Sequence, residues 1–203
     1  MEHITNTITV RGSLLELPVF SHENHGRQFY RFTLEVPRLS GAVDLLPVVI
    51  ARNMLMEIDP TAGQMLTVSG QIRSHNQRSD GVRHLMIFIF ASSIAVEDGE
   101  PINEVVLEGP LCKEPTYRRT PLGREICDAM LAVPRAFRRA DYLPCILWGR
   151  TAQEVSACHT RDCIRIYGRL QSRTYTTLTE DGPQARTAYE ISALTAEILQ
   201  QQI

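Results

Sequence analysis

The stretch YLPCILWGRTAQEVSAC, Tyr142 to Cys158, changes its period midway. Up to Trp148 it reads as a strand, with Tyr142, Pro144, Ile146 and Trp148 sharing one face. From Arg150 onward Ala152, Val155 and Cys158 recur at a spacing of three, enough for a short amphipathic helix. Working outward, strands are expected near 103–112, 124–133, 141–148, 163–175 and 185–197. Turn signals TPLG (Thr120 to Gly123) and TEDGP (Thr179 to Pro183) separate them. Five strands with a helix after the third is the element order of an OB-fold, so the fold class is all-β. An SH3-like barrel lacks that helix, and a Rossmann-type sheet needs long alternating helices that are absent here.

The same unit is written twice. At an offset of 97, Asn6 falls on Asn103, Gly12 on Gly109, Leu14 on Leu111 and Pro18 on Pro115. LEVPR (Leu34 to Arg38) falls on LAVPR (Leu131 to Arg135), and Asp44, Leu46 and Pro47 fall on Asp141, Leu143 and Pro144. One inserted residue later, VSGQIRS (Val68 to Ser74) meets IYGRLQS (Ile166 to Ser172). A repeat of this length signals two copies of one structural unit. The expected organisation is two tandem OB-fold barrels, 1–99 and 102–203, joined by the polar turn EDGEP (Glu97 to Pro101).

The 203 residues, 43% hydrophobic and 22% charged, suffice for two small cores and exclude a disordered chain. The net charge of −2 gives no global basic signature. No apolar run reaches the length of a membrane span, and the opening MEHITNTITV does not read as a signal peptide. The five cysteines all lie in the second half without a CxxC pair, which points to reduced thiols in a cytoplasm. No cofactor is expected. The spacing of Cys158, His159 and Cys163 matches no zinc pattern, and His22 and His25 fall in a polar loop. Nothing resembles a nucleophile–base pair or a phosphate-cradling loop, so the chain reads as a binding protein rather than an enzyme.

On RIYGRLQSRTY (Arg165 to Tyr175) one strand face collects Arg165, Tyr167, Arg169, Gln171, Arg173 and Tyr175, with no acid. The other face, with Ile166, Gly168, Leu170 and Ser172, suits a barrel interior. Tyr142 and Trp148 stand about 20 Å apart along their strand at ~3.3 Å per residue. The loop PRAFRRAD (Pro134 to Asp141) sets Phe137 among Arg135, Arg138 and Arg139. From Lys113 to Arg150 there are eight cationic and four acidic residues, a local excess of positive charge in a nearly neutral chain. Aromatics interleaved with guanidiniums are what a single-stranded nucleic-acid groove requires, because every base has a face to stack and phosphates follow the positive lining. In the first copy the corresponding strand positions are Thr67, Ser69, Gln71, Arg73, His75 and Gln77. Ser40, Leu45 and Ala51 stand where the second copy has Phe137, Tyr142 and Trp148. The first barrel is therefore expected to be structural and the second to bind.

The second half resembles the bacterial single-stranded DNA-binding protein family. The resemblance rests on Asn103, LEGPLCKEP (Leu107 to Pro115), LAVPRAF, ILWGRTAQEV (Ile146 to Val155) and IYGRLQSRTYT. It implies stacking of DNA on Phe137, Tyr142, Trp148 and Tyr175, and basic contacts from Arg150, Arg161 and Arg173. Arg135, Arg138, Arg139, Arg165, Tyr167 and Arg169 join the candidate site by position alone. The resemblance further implies a role in DNA replication, recombination and repair, and a homodimer that brings four OB-folds together. The sequence ends AEILQQQI, so recruitment of other enzymes through an acidic C-terminal tip is not expected. Two readings compete on the same fold: a primosomal replication protein acting through protein contacts, and an RNA-binding OB-fold protein.

Overall fold

A computed structural model describes residues 6–79, 82–179 and 182–199. The first half runs β1 (Asn6–Leu14), β2 (Val19–Asn24), β3 (Arg27–Pro37), β4 (Val43–Ala51), α1 (Arg52–Met56), β5 (Met65–Ser79) and β6 (Val82–Val96). The second repeats the order as β7 (Ile102–Pro110), β8 (Thr116–Arg119), β9 (Glu125–Arg135), β10 (Arg139–Trp148), α2 (Gly149–Ser156), β11 (Cys163–Thr179) and β12 (Gly182–Leu199).

Strict alternation builds each barrel. Along β1 and β10 every second residue is buried, so Ile8, Val10 and Leu14, and Leu143, Cys145 and Leu147, enter the cores. β1 pairs antiparallel with β5, β5 with β6, and β6 runs parallel to β4 at Val48↔Ile89. β4 pairs with β3, which returns to β1 at Leu14↔Leu34 and closes the barrel. The second barrel follows β7–β11–β12–β10–β9 and closes through a bridge from Leu111 to Leu131. Both are OB-folds. In each, a bulge sits beside a glycine, Gly70 and Gly168, where a Cβ would overlap the carbonyls of Phe90 and Ser192. The α2 helix lays Ala152 and Val155 on the core, and Cys158 is buried just beyond it.

Each barrel also carries a sixth, outer strand. β2 and β8 pair with β3 and β9 through tight turns at His25–Gly26 and at Gly123, all three with positive φ. The segment Pro134 to Asp141, expected to be a loop, is instead a hairpin: β9 continues to Arg135 and β10 starts at Arg139, with a 3₁₀ turn over Ala136–Arg138 between them. The strands extend because Arg139↔Arg135 and Asp141↔Val133 remain in register.

The barrels are fused through β1 and β7, which pair antiparallel from Asn6↔Leu107 to Arg11↔Ile102. Under the offset of 97, Asn6↔Leu107 and Val10↔Asn103 are exchanged, so a local two-fold axis passes through this ladder. Equivalent hydrogen bonds flank it: the Asn6 amide bonds both backbone groups of Ile72, and Asn103 those of Leu170. Two buried carboxylates cross between barrels in the same symmetric manner. Asp141 accepts from the Ser74 N–H (2.7 Å), Arg73 (3.0 Å) and Arg135 (3.3 Å), while Asp44 accepts from the Ser172 N–H (2.7 Å) and is gripped by Arg38. The Asp44 carboxylate raises the Arg38 pKa through its hydrogen bond. Next to each carboxylate a backbone N–H donates to the opposite barrel's serine, Tyr142 to Ser74 and Leu45 to Ser172. The result is one twelve-stranded sheet folded into two barrels. Among the described residues no helix is long and apolar enough to cross a membrane.

Candidate nucleic-acid interface

The pairing of the second barrel aligns Thr116, Asp128, Ile146, Ser192 and Arg169 in one row across β8, β9, β10, β12 and β11. Around this row the outer face presents its aromatics. Trp148 caps the start of α2, 37% exposed, with its indole N–H 3.3 Å from the Ser192 hydroxyl. Tyr142, further back on β10, is 50% exposed. Tyr175 on β11 is 40% exposed, with the Arg173 guanidinium 5.7 Å from its ring centre. Phe137 stands at the tip of the β9–β10 hairpin, 93% exposed. Its φ of 61°, followed by 55° at Arg138, is left-handed, a conformation that costs an aromatic residue about 1–2 kcal/mol.

The arginines divide by their partners. Arg165, on the face read as free of acid, is neutralised by Glu108 on β7 (2.8 Å) and Glu197 on β12 (3.2 Å). The acids come from neighbouring strands, which inspection of β11 alone does not reveal. Arg135 is tied to Asp141, and Arg150 to Glu154 one helical turn on (2.8 Å). Gln171 is buried and donates to Glu190 (2.7 Å), so it offers nothing outward. Arg138, Arg139, Arg161 and Arg173 form no ion pair among the described residues, and all four are exposed. Arg169 is half-buried with an unbonded Nε, and Tyr167 is half-buried beside it. The local excess of cations also shrinks, because Arg118 bonds Asp128 (2.6 Å) and Arg119 bonds Glu125 (3.0 Å). Tyr117 donates to the same Glu125 and, with Gln153, holds its carboxyl below the usual range.

In the first barrel the equivalents of the four aromatics are absent as expected, but the same face is not bare of rings. Phe88 and Phe90 on β6 point outward where the second barrel has Glu190 and Ser192. His75 meets Phe88 edge-on at 5.8 Å, Phe29 lies 5.8 Å from Phe90, and His22 stacks on Phe29 at 4.9 Å. Of these rings only His75 lies on β5, among the positions compared with β11; His22, Phe29, Phe88 and Phe90 sit on β2, β3 and β6, and the alternation of FIF at Phe88–Phe90 is the sequence signal for the last two.

All five cysteines are free. Burial pushes the Cys127 thiol up to about 11 and raises Cys145, Cys112 and Cys158. Among the described residues no group of three His, Cys, Asp or Glu side chains could hold a metal ion.

A double OB-fold with an aromatic and cationic outer face defines a nucleic-acid-binding class of protein. The model of the "Single-strand binding protein family" matches residues 102–199. Single-stranded DNA-binding protein B of Bacillus subtilis is 36% identical over 80 residues, covering 36% of this chain and 71% of that protein. Single-stranded DNA-binding protein 1 of Staphylococcus aureus is 40% identical over 81 residues, but the match spans only 48% of its length. The chain belongs to the single-strand binding protein family. The wild-type single-stranded DNA-binding protein of Thermus aquaticus superposes with a TM-score of 0.80 at 21% identity, covering 98% of this chain and 94% of that one. The two-barrel fold as a whole is therefore shared with a solved structure.

Proposed function

We propose that the second barrel binds single-stranded DNA along its outer face, stacking bases on Phe137, Tyr142, Trp148 and Tyr175. The observation that carries this is the exposure of all four rings on the second barrel, together with that of Arg138, Arg139, Arg161 and Arg173, which lack acidic partners among the described residues. Each stacked base is worth about 1–3 kcal/mol, and unpaired guanidiniums are free to meet phosphates. Arg150 joins them by exchanging Glu154 for a phosphate, an exposed pair being worth no more than about 1 kcal/mol. Arg135 and Arg165 serve the fold through their carboxylates. The names of the B. subtilis and S. aureus relatives support this reading, and with it a role in coating and protecting single strands during replication and repair. The first barrel is the structural partner, whose symmetric contacts hold the second in place. Two chains forming a homodimer would assemble four barrels.

Trp148 is the sole tryptophan, so its fluorescence reports on the site directly. Titration with oligo-dT should quench it strongly, while oligo-rU and duplex DNA should not. Equal quenching by oligo-rU would replace DNA by RNA in this reading, and no quenching by any strand would end it. Light scattering should give twice the mass of one chain.

A further inference from the structure

Where the β5–β6 hairpin of the first barrel approaches the outer face of the second, the surface closes into a groove of about 530 Å³. His84, Leu85, Met86 and Ile87 form one wall and Pro144, Tyr175, Arg186 and Tyr189 the other. Its size falls within the ordinary range for pockets that hold a small organic group. Leu85 and Met86 expose 36% and 40% of their surface and line the groove side by side. Arg186 lies opposite Tyr175 in the β11–β12 register and touches His84 Nδ1 at 3.3 Å, tying the walls together. Arg186 has no acidic partner among the described residues, and no carboxylate is among the lining residues.

A flat aromatic wall, a soft thioether opposite and one guanidinium with no acidic partner among the described residues make a chemical match for a base with its phosphate. Tyr175 belongs to both the groove and the stacking face. Arg173 covers one side of its ring and leaves the other for a base. We infer that this inter-barrel groove is a nucleotide-binding subsite, in which a base is held between Tyr175 and Met86 with its phosphate on Arg186. It conducts the single strand from the second barrel toward the first. The inference rests on the single-stranded DNA reading given above. It assigns the first barrel a part in binding through Met86 and His84, neither of which has an aromatic counterpart in the repeat.

The test compares two lengths of oligo-dT by Trp148 fluorescence: about 8 nucleotides, within the site size of one OB-fold, and about 30, enough to run beyond it. Met86→Glu puts a carboxylate into the groove from an exposed position, and Arg186→Ala removes the phosphate contact. Both should melt at the wild-type temperature. Both should bind the short strand as the wild type does and the long strand about tenfold more weakly, within the range for one stacked base. Arg186→Ala should also make the salt slope for the long strand shallower by about 0.7. Wild-type affinity of both variants for the long strand would overturn the groove while leaving the face of the second barrel intact. An equal loss on the short strand would also overturn it, by placing the effect on that face. If the wild type binds neither length, the DNA reading itself fails and the groove falls with it.

Discussion

Replacing Asp141 by Asn tests the contact that positions the candidate site. The carboxylate is fully buried and receives three donors: the Ser74 N–H at 2.7 Å, Arg73 at 3.0 Å and Arg135 at 3.3 Å. Asparagine has the same shape but a single acceptor oxygen, which can keep the Ser74 N–H. That oxygen also keeps Arg135, which shares Oδ1 with Ser74, so the NH₂ group then faces the Arg73 guanidinium that Oδ2 had held. Removing one member of a buried ion pair costs about 3–5 kcal/mol. Arg73 and Arg135 keep 19% and 31% of their side-chain surface in water, which favours the lower end, about 3 kcal/mol. For a chain of this size that corresponds to a fall of about 6–12 °C in melting temperature. Differential scanning calorimetry at neutral pH reads it directly. Asp44→Asn should lower the melting temperature to a comparable degree, because Arg38 and the Ser172 N–H face the same substitution. If Asp141→Asn melts within 2 °C of the wild type, the buried carboxylates are not what locks the barrels together, and the account of the interface is wrong.

Trp148→Ala and Tyr175→Ala should each weaken oligo-dT binding by about 1–3 kcal/mol, measured by fluorescence anisotropy of a labelled strand. Arg73→Ala acts on Asp141 rather than on a base, so it should lower the melting temperature more than it lowers affinity; the opposite ranking would contradict a structural first barrel. Counting the four guanidiniums that have no acidic partner among the described residues, Arg138, Arg139, Arg161 and Arg173, at about −0.7 per contact, the slope of log affinity against log salt should be roughly −3, and a slope near zero would remove the phosphates from the interface. Gly168→Ala should prevent stable folding or shift the β11–β12 register, seen as loss of the cooperative melting transition, because its Cβ has no room beside the Ser192 carbonyl. Iodoacetamide at pH 8 should leave Cys127, Cys145 and Cys158 unmodified, since all three are buried and burial raises each thiol above its ordinary value, Cys127 to about 11; mass spectrometry would show otherwise if the core were open.

The duplication was legible because glycines, prolines and Asp44/Asp141 recur at a constant offset, and these residues answer to backbone geometry that both copies share. The period change at Trp148–Gly149 located the helix, and the period of two placed Tyr142 and Trp148 on an outer face, where they are found. What failed to show is whatever depends on a second strand. Glu108 and Glu197 neutralise Arg165 from β7 and β12, and only strand register, not sequence spacing, brings them there. β2 and β8 lie almost wholly on the surface and have no buried alternation to betray them. The pairing of Asp44 with Ser172 and of Asp141 with Ser74 joins residues 128 and 67 positions apart, beyond the reach of any local pattern.

The ladder between β1 and β7 has a further consequence. In an assembly of identical chains the same ladder would require two molecules to meet, and dilution would part them. Here the segment Glu97–Pro101 makes the encounter intramolecular, at an effective concentration that short linkers set in the millimolar range. The union of the two barrels is thus independent of how much protein is present. It also frees each half from its twin: in identical chains any substitution is inherited by both sides of the axis, whereas here Trp148 and Ala51 occupy equivalent places and were free to diverge. Symmetry is retained where Asn6 and Asn103 or Asp44 and Asp141 must match across the axis, and relaxed on the faces that look away from it.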